Sequence, residues 1–227
     1  SDISRSGFSN QIDIINISAQ QHATILLSHD SNSVLSRLSS SSPPSTLSLE
    51  TVLDGLFAVD FMRIWMTSCT SKESDFVRSR VGGSKAMIDI TGSDAPARFS
   101  AFGIRKTALE FPREYLACSI IHQLSTLIPC VLVGNTDVPL DWGNACGTSL
   151  MDYRRRNWSP EVINAVSDGI PGGDSSLLSK LPRLSSGLSI AGTIAPYFVE
   201  RYGFRSDCLV GIGSGDNPQA KVLVDGS

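Results

Sequence analysis

"CLVGIGSGDN", residues 208–217, is an apolar run that breaks into a glycine-rich turn carrying an acid and an amide. Cys208 to Ile212 has the composition of a buried strand, and the glycines that follow let the backbone bend and pass close to other groups. Such a strand would deliver Asp216 and Asn217 to a cleft. By itself the turn leaves the role of Asp216 open among a base, a metal ligand and a turn residue. The segments around the strand decide what it is part of.

Just before it, residues 192–203 read as a helix with Ile194, Phe198, Val199 and Tyr202 on one face. Ser159-Pro160-Glu161, then Val162 to Val166 and Gly169, supply an N-cap, a first-turn proline and a terminating glycine for another helix. Residues 112–134 carry Leu116, Ile120, Leu124, Leu127 and Ile128 at three-to-four spacing, which predicts one long helix. Pro129 lies inside it and predicts a kink or an early stop, because an interior proline deletes a hydrogen bond and crowds the preceding turn. Further helices are expected over 71–81, 84–91 and 101–109, the first two split by Gly82-Gly83. At the other end, Ile12 to Ser18 alternates apolar and polar residues as a strand does, and Thr24 to Leu27 predicts a second strand after the Gln20-Gln21-His22 turn. Between these parts, the Ser-rich stretch with Pro43-Pro44 reads as a flexible surface insertion. Strands alternating with helices place the chain in the α/β class.

The 227 residues, 41% of them hydrophobic, suffice for one large domain or two small ones. A net charge of −3, with Arg154-Arg155-Arg156 as the densest basic run, gives no footprint for nucleic acid or an anionic membrane, and no apolar run has the length of a membrane span. The five cysteines are widely spaced without a CxxC pair, which points to free thiols in a reducing, cytoplasmic compartment and away from a zinc site. The polar start at Ser1 is not a signal peptide, and without a methionine it is compatible with a piece of a longer chain. His22 and Trp65 each divide between packing residue and ligand contact when taken singly.

Taken in order, SAQQHATILL (18–27), IWMTSCTSKE (64–73), VGGSKAMIDITGSDAPARF (81–99), VPLDWGNACGTSLMDYRRRNWSPE (138–161), GTIAPYFVERYGF (192–204) and VGIGSGDNPQAKVLV (210–224) match one family. The chain resembles the FGGY-type carbohydrate kinases, most closely xylulokinases of the longer, eukaryote-like form, over nearly its whole length. The resemblance implies an incomplete ribonuclease H-like first domain of the actin/hexokinase ATPase type, a mixed sheet flanked by helices. It assigns residues 1–210 to a partial sugar-binding domain, with the Ser-rich insertion at 36–48, and residues 211–227 to a hinge and the start of a nucleotide-binding domain.

The activity implied is ATP- and Mg2+-dependent phosphorylation of D-xylulose to D-xylulose 5-phosphate. Asp216 corresponds to the catalytic base, which would accept the proton of the attacking hydroxyl. Gln21, His22, Arg98 and Asn217 correspond to sugar contacts, and Trp65 to an apolar platform beside them. Three positions depart from the family pattern: Ala23 replaces a glycine, Thr67 replaces a sugar-binding aspartate, and Pro129 falls in a continuous helix. The Asp-x-Gly-Thr hairpin and the Gly-Thr-Ser loop that hold phosphate and magnesium in the family have no counterpart in this sequence, and no P-loop substitutes. The chain alone is therefore expected not to turn over ATP, and to be marginally stable with an exposed interdomain face open to association. A non-catalytic sugar- or partner-binding remnant, or a kinase for another pentulose, are the alternatives.

Overall fold

The computed structural model describes residues 7–66 and 69–225 of the protein. After a 3-10 turn, short strands β1 (Ile14–Ile15) and β2 (Ser18–Ala19) lead to β3 (Thr24–Ser28), then helices α1 (Ser31–Ser36) and α2 (Leu49–Val52). Four helices follow: α3 (Ser71–Val81), α4 (Ser84–Thr91), α5 (Ser100–Glu110) and α6 (Pro112–Leu116). The middle comprises β4 (Cys118–Gln123), α7 (Leu124–Val133), β5 (Leu140–Asp141), α8 (Trp142–Cys146), β6 (Met151–Asp152) and β7 (Asn157–Trp158). The last third holds α9 (Pro160–Ser167), α10 (Gly173–Ser179), β8 (Leu184–Ser185), β9 (Ile190–Thr193) and α11 (Pro196–Tyr202). It closes with β10 (Leu209–Gly211), β11 (Ser214–Gly215) and α12 (Asp216–Asp225).

The strands form small ladders rather than one broad sheet. β10 lies between β1, to which it is parallel, and β9, to which it is antiparallel. β11 pairs in parallel with β2, and β3 pairs antiparallel with β4. The pair β3–β4 separates two hydrophobic cores, because successive side chains of a strand point to opposite faces. Ile25 and Leu27 enter a core with α1, α7, α11 and β10, whereas Leu26 enters another with α3 to α6, α9 and α10. Register places Leu26 opposite Ile121 and Leu27 opposite Ile120, so β4 splits its apolar residues in the same way.

That split corrects the long helix expected over 112–134. The segment is a one-turn helix, a strand and a second helix. A strand buried on both faces is apolar on consecutive residues, so it lacks the alternation that marks a half-exposed strand, and its residues fell into helical spacing by coincidence. Pro129 neither stops nor excludes α7, which continues to Gly134 in the left-handed conformation, φ +76°. The carbonyl that a donor at position 129 would have served belongs to Ser125. It lies against Gly213, where any Cβ would overlap it.

The segment 192–203 likewise opens as the end of β9 and becomes helical only at Pro196. The Ser-rich insertion runs over the surface as expected but is tied down on α11. Leu38 is fully buried, the Tyr197 hydroxyl donates to the Leu47 carbonyl at 2.9 Å, and Arg201 Nη1 donates to the Ser45 carbonyl at 2.6 Å. The 159–169 helix has the expected cap, with Ser159 accepting from the Val162 amide. All five cysteines are free; Cys118, Cys130 and Cys208 are buried and Cys69 is exposed. Among the described residues, no helix is long and apolar enough to cross a membrane.

Candidate functional site

Parallel pairing of β2 with β11 creates the site. Ser18 lies opposite Ser214 and Ala19 opposite Gly215, so the residues leaving the two strands at the same end are Gln21-His22 and Asp216-Asn217. Carboxyl ends of neighbouring parallel strands are where α/β proteins place ligands. The Asn217 side-chain amide donates to Gln21 Oε1 at 2.9 Å, joining turns that are 196 residues apart. Gly215 permits the contact, since a Cβ there would run into the Gln21 side chain and come within 2.5 Å of Asn144 Oδ1.

Around these turns lies a cavity of about 370 Å³. Its lining includes all six residues expected from the sequence: Gln21, His22, Trp65, Arg98, Asp216 and Asn217. Asp216 is not on the glycine turn itself; it opens α12, where a carboxylate complements the positive end of the helix dipole. Its Oδ1 accepts from the Asn217 backbone amide at 3.0 Å, and the residue is exposed. Ala23 is fully buried and is not among the lining residues. Thr67 lies outside the described residues.

His22 is the most constrained member. It adopts φ +66°, a left-handed conformation that costs a non-glycine residue and recurs at functional turns. Its ring stacks on Phe99 with centroids 4.3 Å apart and planes 21° from parallel. Nδ1 lies 2.7 Å from the Gly147 carbonyl, which can only accept, so Nδ1 carries the proton and Nε2 is left as an acceptor. Burial pushes the imidazole pKa down, with Arg98 acting in the same direction and the Gly147 bond and Asp216 opposing. The ring is therefore neutral at pH 7. Gly147 lies close by, and a Cβ there would stand 3.2 Å from His22 Cε1, so a side chain would push the ring by a few tenths of an ångström.

Several lining residues did not stand out in the sequence: Phe99, Thr91 to Ser93, Gly143, Cys146 and Gly147. Their signal was present only as the TGSDAPARF and GNACGT segments. Phe99 carries both His22 and the Arg98 guanidinium, whose Cζ stands 5.6 Å from the ring centre. Cys146 is half-buried, burial raises its thiol pKa, and its Sγ donates to the Thr91 carbonyl at 3.6 Å. The lining thus offers short amide, imidazole and carboxylate groups beside aromatic faces, the chemistry that fits a small polyol. It contains no lysine and a single carboxylate. Among the described residues no cluster of three His, Cys, Asp or Glu can hold a metal ion. The groups present do not fit a nucleotide triphosphate with its magnesium.

No family model matches the sequence. Over 203 residues, 89% of this chain, it is 34% identical to xylulose kinase 2 of Arabidopsis thaliana, and over 208 residues it is 32% identical to the xylulose kinase of Saccharomyces cerevisiae. The chain spans about a third of the length of these curated relatives, 34% in each case. The fold superposes on a ligand-bound xylulose kinase from Lactobacillus acidophilus with a TM-score of 0.72 at 17% identity, covering 99% of this chain and 38% of that one. A Plasmodium falciparum glycerol kinase with ADP gives a TM-score of 0.67 at 17% identity, covering 92% and 35%. The chain is a homologue of the xylulose kinases, and its fold is that of the FGGY-type carbohydrate kinases.

Proposed function

We propose that the cavity is the acceptor-sugar site of a xylulose-type kinase, with D-xylulose as its ligand. The observation that carries this reading is the convergence of Gln21-His22 and Asp216-Asn217 on one cavity through β2–β11 pairing. The fold leaves the substrate open, since a glycerol kinase shares it. Xylulose is favoured by the names of the sequence relatives.

Asp216 accepts the proton of the sugar's terminal hydroxyl and holds that oxygen for attack. Asn217 and the neutral Nε2 of His22 hydrogen-bond further hydroxyls, Arg98 donates from its place over Phe99, and Trp65 covers an apolar edge of the sugar. ATP with Mg2+ supplies the phosphoryl group in such a kinase. A cytoplasmic location accords with that chemistry.

Titration calorimetry with D-xylulose tests the reading. Saturable heat is expected, reduced to background by Asp216→Ala with Asn217→Ala, and no heat from the unaltered chain would overturn it. The lack of lysine and metal-holding groups around the cavity favours a second reading, a sugar-binding protein without catalysis. A coupled ADP-release assay with ATP and Mg2+ bears on the second reading: turnover by this chain would overturn it, whereas heat without turnover is expected on either.

A further inference from the structure

Behind Asp216 stands a second aspartate that lines no part of the sugar cavity. Asp141 ends β5, is 3% exposed, and caps α8 by accepting from the Asn144 backbone amide at 3.1 Å. The same oxygen, Oδ2, accepts from the Ser214 hydroxyl at 2.7 Å. Ser214 belongs to β11 and precedes Asp216 by two residues. One carboxylate oxygen therefore joins α8, which contributes Gly143 and Cys146 to the cavity, to the strand that carries Asp216 and Asn217.

The neighbouring contacts make this junction tight. A Cβ on Gly143 would lie 2.9 Å from Asp141 Oδ2 and 3.0 Å from Cγ of Pro218, so α8 and the first turn of α12 touch directly. Asn144 extends the link, with Nδ2 donating to Ser125 Oγ at 2.5 Å. Oδ1 of Asp141 is buried without a hydrogen-bond partner among the described residues. Asp141 also lines a second cavity of about 240 Å³ behind α12, shared with Asn16, Gly187, Ser214 and Gln219. A buried carboxylate with one idle oxygen is costly. Burial also raises its pKa. Capping α8 would not require it, because serine or asparagine caps a helix equally well.

We propose that Asp141 is a positioning residue for Asp216: through Ser214 it fixes the start of α12 against α8 and so sets where the Asp216 carboxylate meets the sugar. The effect on sugar binding rests on the acceptor-site reading, whereas the effect on the segment 214–217 does not. Amide hydrogen exchange of residues 214–217 in the full chain, followed by mass spectrometry, is therefore measured beside calorimetry with D-xylulose. Asp141→Ala is expected to speed exchange at 214–217 by about tenfold or more and to weaken sugar binding about tenfold, the equivalent of ~1.4 kcal/mol. Asp141→Asn, whose amide oxygen can accept both hydrogen bonds, is expected to restore both to within about twofold. Should Asp141→Ala fail to fold, Ser214→Ala cuts the same link while leaving the cap on α8, and the same acceleration is expected. Unchanged exchange in Asp141→Ala or Ser214→Ala would overturn the proposal, as would an Asp141→Asn variant as impaired as the alanine. If the unaltered chain binds no D-xylulose, the sugar reading fails and the exchange result still decides the positioning role.

Discussion

The cavity has two walls of different construction. One is formed by Gln21-His22, α8 and the start of α12, where His22 is held by the Gly147 carbonyl, Asn217 by Gln21, and Ser214, two residues before Asp216, by Asp141. The other is formed by Trp65 and Arg98, and Phe99, which carries both His22 and Arg98, joins the two. Trp65 is 50% exposed, and Arg98 is an exposed side chain resting on the face of Phe99. The first wall is preorganised, so binding there costs little ordering; the second is ordered by the ligand itself. On the proposed reading, the carboxylate that acts on the sugar sits on the fixed wall, and the groups that only cover the sugar sit on the adjustable one.

The largest expected effect concerns the scaffold of the fixed wall. His122, on β4, is buried with Nε2 3.0 Å from the Thr136 carbonyl, and desolvation lowers its pKa to about 4. Above pH 6.5 the ring is neutral in the folded and unfolded chain alike. As pH falls below 6.5 the unfolded chain gains a proton that the folded chain refuses, so stability drops until about pH 4. The loss is about 3 kcal/mol in all. His22 is shifted in the same direction and adds to it. Urea denaturation at pH 7 and pH 4.5 should show a stability difference that shrinks in His122→Gln.

Next comes Gly215→Ala, aimed at the junction of Gln21, Asn144 and β11. The added methyl cannot fit without displacing Gln21. Overpacking of this kind costs about 1–3 kcal/mol. Calorimetric heat with D-xylulose should vanish together with that stability, and a variant that binds normally would show the wall to be less rigid than described.

On the adjustable wall, affinity and stability should separate. Trp65→Ala is expected to weaken D-xylulose binding by about five- to tenfold while thermal unfolding stays within about 0.5 kcal/mol of the unaltered chain. Arg98→Lys, which keeps the charge and loses the planar fork, should weaken binding by about threefold, with unfolding unchanged. A large stability loss in either variant would mean that the two walls are built alike.

The difference between the walls also explains what the sequence disclosed. Asp216, Asn217, Gln21 and His22 were legible through the resemblance of whole segments to one family, since locally the glycine turn and His22 left their roles open, and their meeting in one cavity follows from a single parallel pairing. Asp141 was not legible as a site residue, because its role exists only through Ser214, 73 positions away. The same holds for β4. Whether Ile120 and Ile121 belong to a helix or to a doubly buried strand is settled by β3 and the cores on either side of it, not by local spacing. Of the kink or early stop expected at Pro129, the early stop does not occur, and the carbonyl that the proline leaves unserved lies against Gly213, a neighbour that no local rule includes.

The central claim, that Asp216 faces a sugar hydroxyl on the fixed wall, is tested most directly by a crystal structure of the chain grown with D-xylulose. The sugar is expected in the cavity, its terminal hydroxyl at about 2.5–3.0 Å from an Asp216 carboxylate oxygen and a second hydroxyl on Asn217 or His22 Nε2. Sugar bound elsewhere, or a cavity holding only water at saturating D-xylulose, would contradict it.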